Sequence, residues 1–124
     1  MRKLVIASSL GLILSGVVLT GMEWWEWERQ TAIALGHMWV GFFFIVIFPM
    51  YSWDHIQGHS YRLREWSWVM VSGMLQLISG LGLILTGVIL WLWGREAFEL
   101  PRTLHIGLTL VISAALLIHY RARK

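Results

Sequence analysis

His105 and His119 lie fourteen residues apart in the last apolar stretch of a chain that contains no cysteine. On an α-helix that interval advances roughly 21 Å and returns to within about 40° of the starting face. Two imidazoles then stand on one side of one helix, near opposite surfaces of a hydrocarbon core roughly 30 Å thick. An earlier apolar stretch carries a comparable pair, His37 and His55, separated by about five helical turns. Neutral imidazole is a strong ligand for haem iron, and an ionisable group inside a membrane is a functional candidate by default. Four such groups on two helices have the pattern of axial ligands to two stacked macrocycles.

The elements that must position these histidines are visible as four apolar stretches: Leu4 to Met22, Thr31 to Trp53, Trp66 to Trp93 and Thr103 to Tyr120. Three are close to the roughly 20 residues of a spanning helix, and the third is long enough to tilt. Backbone left unpaired in lipid rules out irregular spanning segments, so the expected fold is all-α, a single transmembrane four-helix domain over residues 1–124. The 57% apolar content and nine tryptophans agree with a membrane protein. The net charge of +3 is spread over the ends of the apolar segments, with no concentrated basic face, which argues against nucleic acid as a partner. The absence of cysteine excludes iron–sulfur clusters and covalent c-type attachment, so any haem is held by coordination and packing.

Met1-Arg2-Lys3 followed by an apolar run also has the form of a secretory leader. An internal repeat favours a retained helix. SSLGLILSGVVL from Ser8 to Leu19 matches SGLGLILTGVIL from Ser79 to Leu90 at nine of twelve positions, at a constant offset of 71. The bundle therefore reads as two helical hairpins in parallel repetition. Placing both termini inside puts Arg2, Lys3, Arg62, Arg64, Arg121, Arg123 and Lys124 on the cytoplasmic side, against Arg29, Arg95 and Arg102 outside. That asymmetry predicts an N-in, C-in protein of the bacterial cytoplasmic membrane in contact with its lipids.

With this topology the second and fourth helices run in the same direction. His37 and His105 are then the outer pair of axial ligands, and His55 and His119 the inner pair, for two haems b. The third helix supplies a complementary stripe: Gly73, Gly80 and Gly87 recur every seven residues, with Ser9 and Gly16 at matching positions of the first helix. Such a stripe admits the edge of a flat macrocycle, and it is equally an ordinary helix-packing face. A zinc or iron site held by the protein alone is disfavoured, because it needs several ligands converging on one point.

Hairpins carrying His-x13-His, glycines opposite the rings and two b haems resemble the bacterial di-haem cytochrome b superfamily. Its members include the membrane anchors of formate dehydrogenases and hydrogenases and the haem-bearing bundle of the bc complexes. In short four-helix members the ligand helices often open with His-x3-Gly; His37 and Gly41 match, whereas His105 is followed by Thr109. The resemblance implies a quinone-linked electron-transfer subunit working with a peripheral or membrane redox protein in a multi-subunit complex. One departure bears on the inner haem. The fourteen-residue partner of His37 is Tyr51, and His55 comes a turn later, beyond Pro49. A bend at Pro49 could bring His55 to the depth of His119; alternatively His59 serves, or only the outer haem is present.

Between the second and third helices, Asp54, His59, Tyr61 and Arg62 offer donors and protonatable groups for a quinone, or form a solvated positive-inside loop. The segment Glu23-Trp24-Trp25-Glu26-Trp27-Glu28-Arg29 reads as an interfacial anchor that could also dock a basic partner. Two readings of a different class remain beside the cytochrome: a cofactor-free accessory or assembly subunit, and a small proton-coupled transporter.

Overall fold

The computed structural model describes residues 1–21, 27–93 and 99–122, with the side chains of Trp27, Glu28 and Arg62 left aside. The described residues are helical almost throughout: α1 (Arg2–Gly21), α2 (Trp27–Gly58), a 3₁₀ turn (Ser60–Arg64), α3 (Trp68–Trp93) and α4 (Glu99–Ala122). All four α-helices are long and apolar enough to cross a membrane, as a multi-pass membrane protein requires. Of the segments between α1 and α2 and between α3 and α4, Glu23 to Glu26, Arg95 and Glu96 lie outside the described residues, as do Arg123 and Lys124 at the C-terminus.

The ends of the helices have local causes. Ser67 caps α3, its hydroxyl accepting the amide of Met70 at 3.2 Å, the bond an N-cap makes to the third helical residue. α4 starts at Glu99, four residues earlier than the apolar pattern suggests. Pro101 sits in its first turn, where a missing N–H costs no helical bond. α2 continues through Pro49 to Gly58, so Asp54 and His55, expected at the edge of a loop, belong to the helix. Helix is the conformation that keeps the backbone paired where water is scarce, and Gly58 marks its end.

The chain divides into two compact units, Met1–Tyr51 and Ser52–Lys124, with the boundary inside α2 just after Pro49. The first holds α1 and most of α2 as an antiparallel hairpin, in which Leu12 lies against Gly41 and Val5, Phe44, Ile47 and Phe48 are buried. Phe44 and Phe48, one turn apart, stack at 4.7 Å between ring centroids.

The second unit holds the last turns of α2, the 3₁₀ turn and the α3–α4 hairpin. Its interior inverts the pattern of a water-soluble bundle. The buried residues of α3 are Ser72, Ser79, Gly80 and Thr86, while Leu81, Leu85, Leu110 and Leu117 point outward. Small residues inside and large apolar residues outside suit helices that meet by close packing and hydrogen bonds in lipid, where leucine gains nothing by burial. The helices approach closely at Gly82, where an added Cβ would come within 2.8 Å of Leu108 Cδ1. Gln76 also donates its amide to the Ala115 carbonyl across the interface at 3.3 Å.

Candidate functional site

The seven-residue stripe on α3 carries two chemical groups per step. Each glycine is preceded by a hydroxyl residue: Ser72-Gly73, Ser79-Gly80 and Thr86-Gly87. In α1 the repeat supplies Ser15-Gly16 at the position of Thr86-Gly87. Three of these four dipeptides hold a histidine. In the first unit Ser15 Oγ lies 2.7 Å from His37 Nδ1. In the second, Thr86 Oγ1 lies 2.8 Å from His105 Nδ1, and Ser72 Oγ lies 3.1 Å from His119 Nδ1.

The direction of these bonds follows from counting protons. A serine or threonine hydroxyl has one proton to give and lone pairs to accept with. Each of the three spends its proton on a carbonyl one turn back: Ser15 on Gly11 at 2.7 Å, Ser72 on Trp68 at 2.6 Å and Thr86 on Gly82 at 2.8 Å. The hydroxyl therefore accepts from the imidazole, which places the ring proton on Nδ1 and the lone pair on Nε2. A metal-ligating histidine is arranged in this way, with one nitrogen held by a donated hydrogen bond and the other coordinating.

The glycines act on the same rings. A Cβ built on Gly16 would lie 3.5 Å from His37 Cε1, one on Gly87 3.4 Å from His105 Cε1, and one on Gly73 3.7 Å from His119 Cε1. The space left by the missing side chains is thus occupied in part by the imidazoles. Gly80 is buried midway along the stripe beside Ser79, level by register with the buried Ile112, where the same small-residue step serves helix packing. Because the contacts at Gly87 are of ordinary van der Waals length, Gly87→Ala is expected to leave thermal stability in detergent nearly unchanged. Gly87→Leu drives carbon into the ring's position and lowers stability by about 1–3 kcal/mol, the usual cost of overpacking.

His55 is brought to His119. Their ring centroids are 6.4 Å apart, with planes at 68°. His59 also meets the His55 ring, at 4.6 Å between centroids with the planes tilted by 37°, and its Nδ1 lies 3.0 Å from the His55 carbonyl. Tyr61 lies 6.4 Å from His59 between centroids. Of the four loop residues singled out for a quinone, His59 and Tyr61 come together, Asp54 is exposed on α2, and the Arg62 side chain lies outside the described residues.

His37 belongs to the first unit, and His55, His105 and His119 to the second. Within the repeat, His37 and His105 are equivalents, since each sits on the glycine and the hydroxyl of the same repeated dipeptide. Among the described residues no three histidine, aspartate or glutamate side chains gather as a metal-binding group. Ser15, Ser72 and Thr86 are the site residues that sequence reasoning passes over. The signal for them is the hydroxyl residue before each stripe glycine, at the same period as the histidines. No protein-family model, curated protein or solved structure matches this chain.

Proposed function

We propose that this chain is a b-type cytochrome subunit of the bacterial cytoplasmic membrane, with both termini cytoplasmic. In this reading it carries electrons across the membrane between quinone and a partner redox protein within a larger complex. The observation that carries the reading is the repeated histidine setting. Three imidazoles on membrane-length helices each meet a hydroxyl at Nδ1 and lie over a glycine, and because each hydroxyl gives its proton to a carbonyl, the ring proton is assigned to Nδ1. Satisfying a lone membrane histidine needs only a hydrogen bond. Three held alike, two of them fourteen residues apart on one helix, match what two coordination levels demand.

In this reading His55 and His119, whose rings approach to 6.4 Å between centroids, would hold the inner haem, and His37 and His105 the outer one. Haem held by these imidazoles would supply one-electron redox chemistry and favour electron transfer over oxygen binding. The protein's part is to fix the ligands, exclude water and insulate the path, and no side chain makes or breaks a substrate bond. The resemblance to di-haem cytochromes b favours work in a complex. Quinone is the proposed membrane-soluble partner, with Asp54, His59, Tyr61 and Arg62 as the residues nearest in kind to its needs.

The test is a reduced-minus-oxidised spectrum of the purified full chain, with haem counted as the pyridine haemochrome. A b-type α band and two haems per chain are expected. A chain without the band would be a cofactor-free accessory subunit or a transporter.

A further inference from the structure

Ser15, Ser72 and Thr86 touch the histidines on the side away from the coordinating nitrogen. We propose that these three hydroxyls are positioning residues that set the donor strength of the axial imidazoles, an inference that rests on the cytochrome reading. Each hydroxyl is the middle of a three-part relay: Nδ1–H gives to the hydroxyl oxygen, and the hydroxyl gives to a carbonyl one turn back. At Thr86 the two bonds are 2.8 Å and 2.8 Å, at Ser15 2.7 Å and 2.7 Å, and at Ser72 3.1 Å and 2.6 Å. Linked hydrogen bonds polarise one another, more strongly where the surroundings are apolar. A hydroxyl whose own proton is committed is a better acceptor, and it draws the Nδ1 proton outward. Electron density then moves toward Nε2, which strengthens its donation to a metal and favours the oxidised state.

The relay also gives the hydroxyl a role at three of the four steps, Ser15, Ser72 and Thr86, where any small residue would satisfy helix packing. Glycine makes room for the ring, and the hydroxyl orients it. Serine and threonine bonded to their own helix ordinarily add little to a membrane interface. Here each carries a second bond to a residue on a neighbouring helix of its own unit.

The decisive variant is Thr86→Val, which keeps the branched shape and removes the acceptor, with Thr86→Ser as the restoring control. Two measurements are made on the full chain in detergent. Nitrogen-15 NMR of labelled histidine, recorded without haem, should show His105 as the Nδ1–H tautomer in the native chain and in Thr86→Ser. In Thr86→Val a share of the Nε2–H tautomer should appear. Redox titration of the haem-loaded chain should show one midpoint potential raised in Thr86→Val. The expected change in the ratio of reduced to oxidised haem is three- to tenfold, about 30–60 mV for a one-electron couple. Thr86→Ser should return it to the native value. Ser72→Ala should shift the component that depends on His119, which keeps the proposal testable if Thr86→Val fails to insert. Unchanged tautomer and potential in haem-replete variants would overturn the proposal. A tautomer shift in a chain that never binds haem would instead overturn the cytochrome reading and leave the hydroxyl's hold on the ring standing.

Discussion

His119→Ala and His55→Ala should each halve the haem content, from two per chain to one, and should remove the same component from the redox titration. The two side chains come from different helices, yet their rings lie 6.4 Å apart, so neither holds a six-coordinate haem alone. The double variant should resemble either single one, because residues that act as a unit are not additive. His59→Ala provides the discriminating control. His59 packs against the His55 ring and meets its carbonyl, a supporting position, so its loss should leave two haems and at most broaden the inner component. If His59→Ala halves the haem and His55→Ala leaves it whole, the inner ligand is His59. The pyridine haemochrome assay read against protein concentration decides between them.

This expectation reverses the balance that spacing alone suggests. By spacing, the inner site is the doubtful one, because the fourteen-residue partner of His37 is Tyr51 and a proline intervenes. The reason is local. The offset of the repeat sets Met1-Arg2 where α3 has Ser72-Gly73, so α1 offers no hydroxyl and no glycine to seat a histidine at position 51. In the cytochrome reading the inner ligand is instead His55, one turn on, in the part of α2 that belongs to the second compact unit. Helical periodicity predicts which residues share a face of one straight helix. It does not predict which unit the end of a long helix joins, since tertiary packing decides that.

Other features were legible for good physical reasons. Four spans follow from hydrophobic length, and the α1–α3 correspondence follows from near-identity over twelve residues. The glycine stripe was legible as a face, but its role was not. A missing side chain makes room without saying for what, and only the helix register puts His37, His105 and His119 into those spaces. The hydroxyls were hidden differently. Ser15, Ser72 and Thr86 read as small residues, and their second function depends on a rotamer that bonds backward to a carbonyl and sideways to a ring at once. The early start of α4 does not show in an apolar count, because Glu99 to Arg102 is too polar, although Pro101 in a first turn is itself a start signal.

The second large effect concerns His37 and His105. Each single alanine substitution should remove one haem, the same one, and that haem should be the component left intact by His119→Ala. His37 and His105 lie in different units, and what equates them is the repeat: the same dipeptide, the same Nδ1 bond and the same glycine. Combining His37→Ala with His105→Ala should cost no more than either alone, whereas combining His105→Ala with His119→Ala should leave no haem. The alternative outcome is equally readable. If His37→Ala and His105→Ala remove different components, each histidine has a separate partner and the two hairpins do not share an outer haem. If both leave two haems bound, the equivalence of the two stations is a packing repeat only, and the outer site falls. Insertion should survive in every case, because the four helices remain long and apolar enough to span with or without an imidazole. Carbonate extraction of the membranes, run beside the haem assay, keeps loss of cofactor apart from loss of protein.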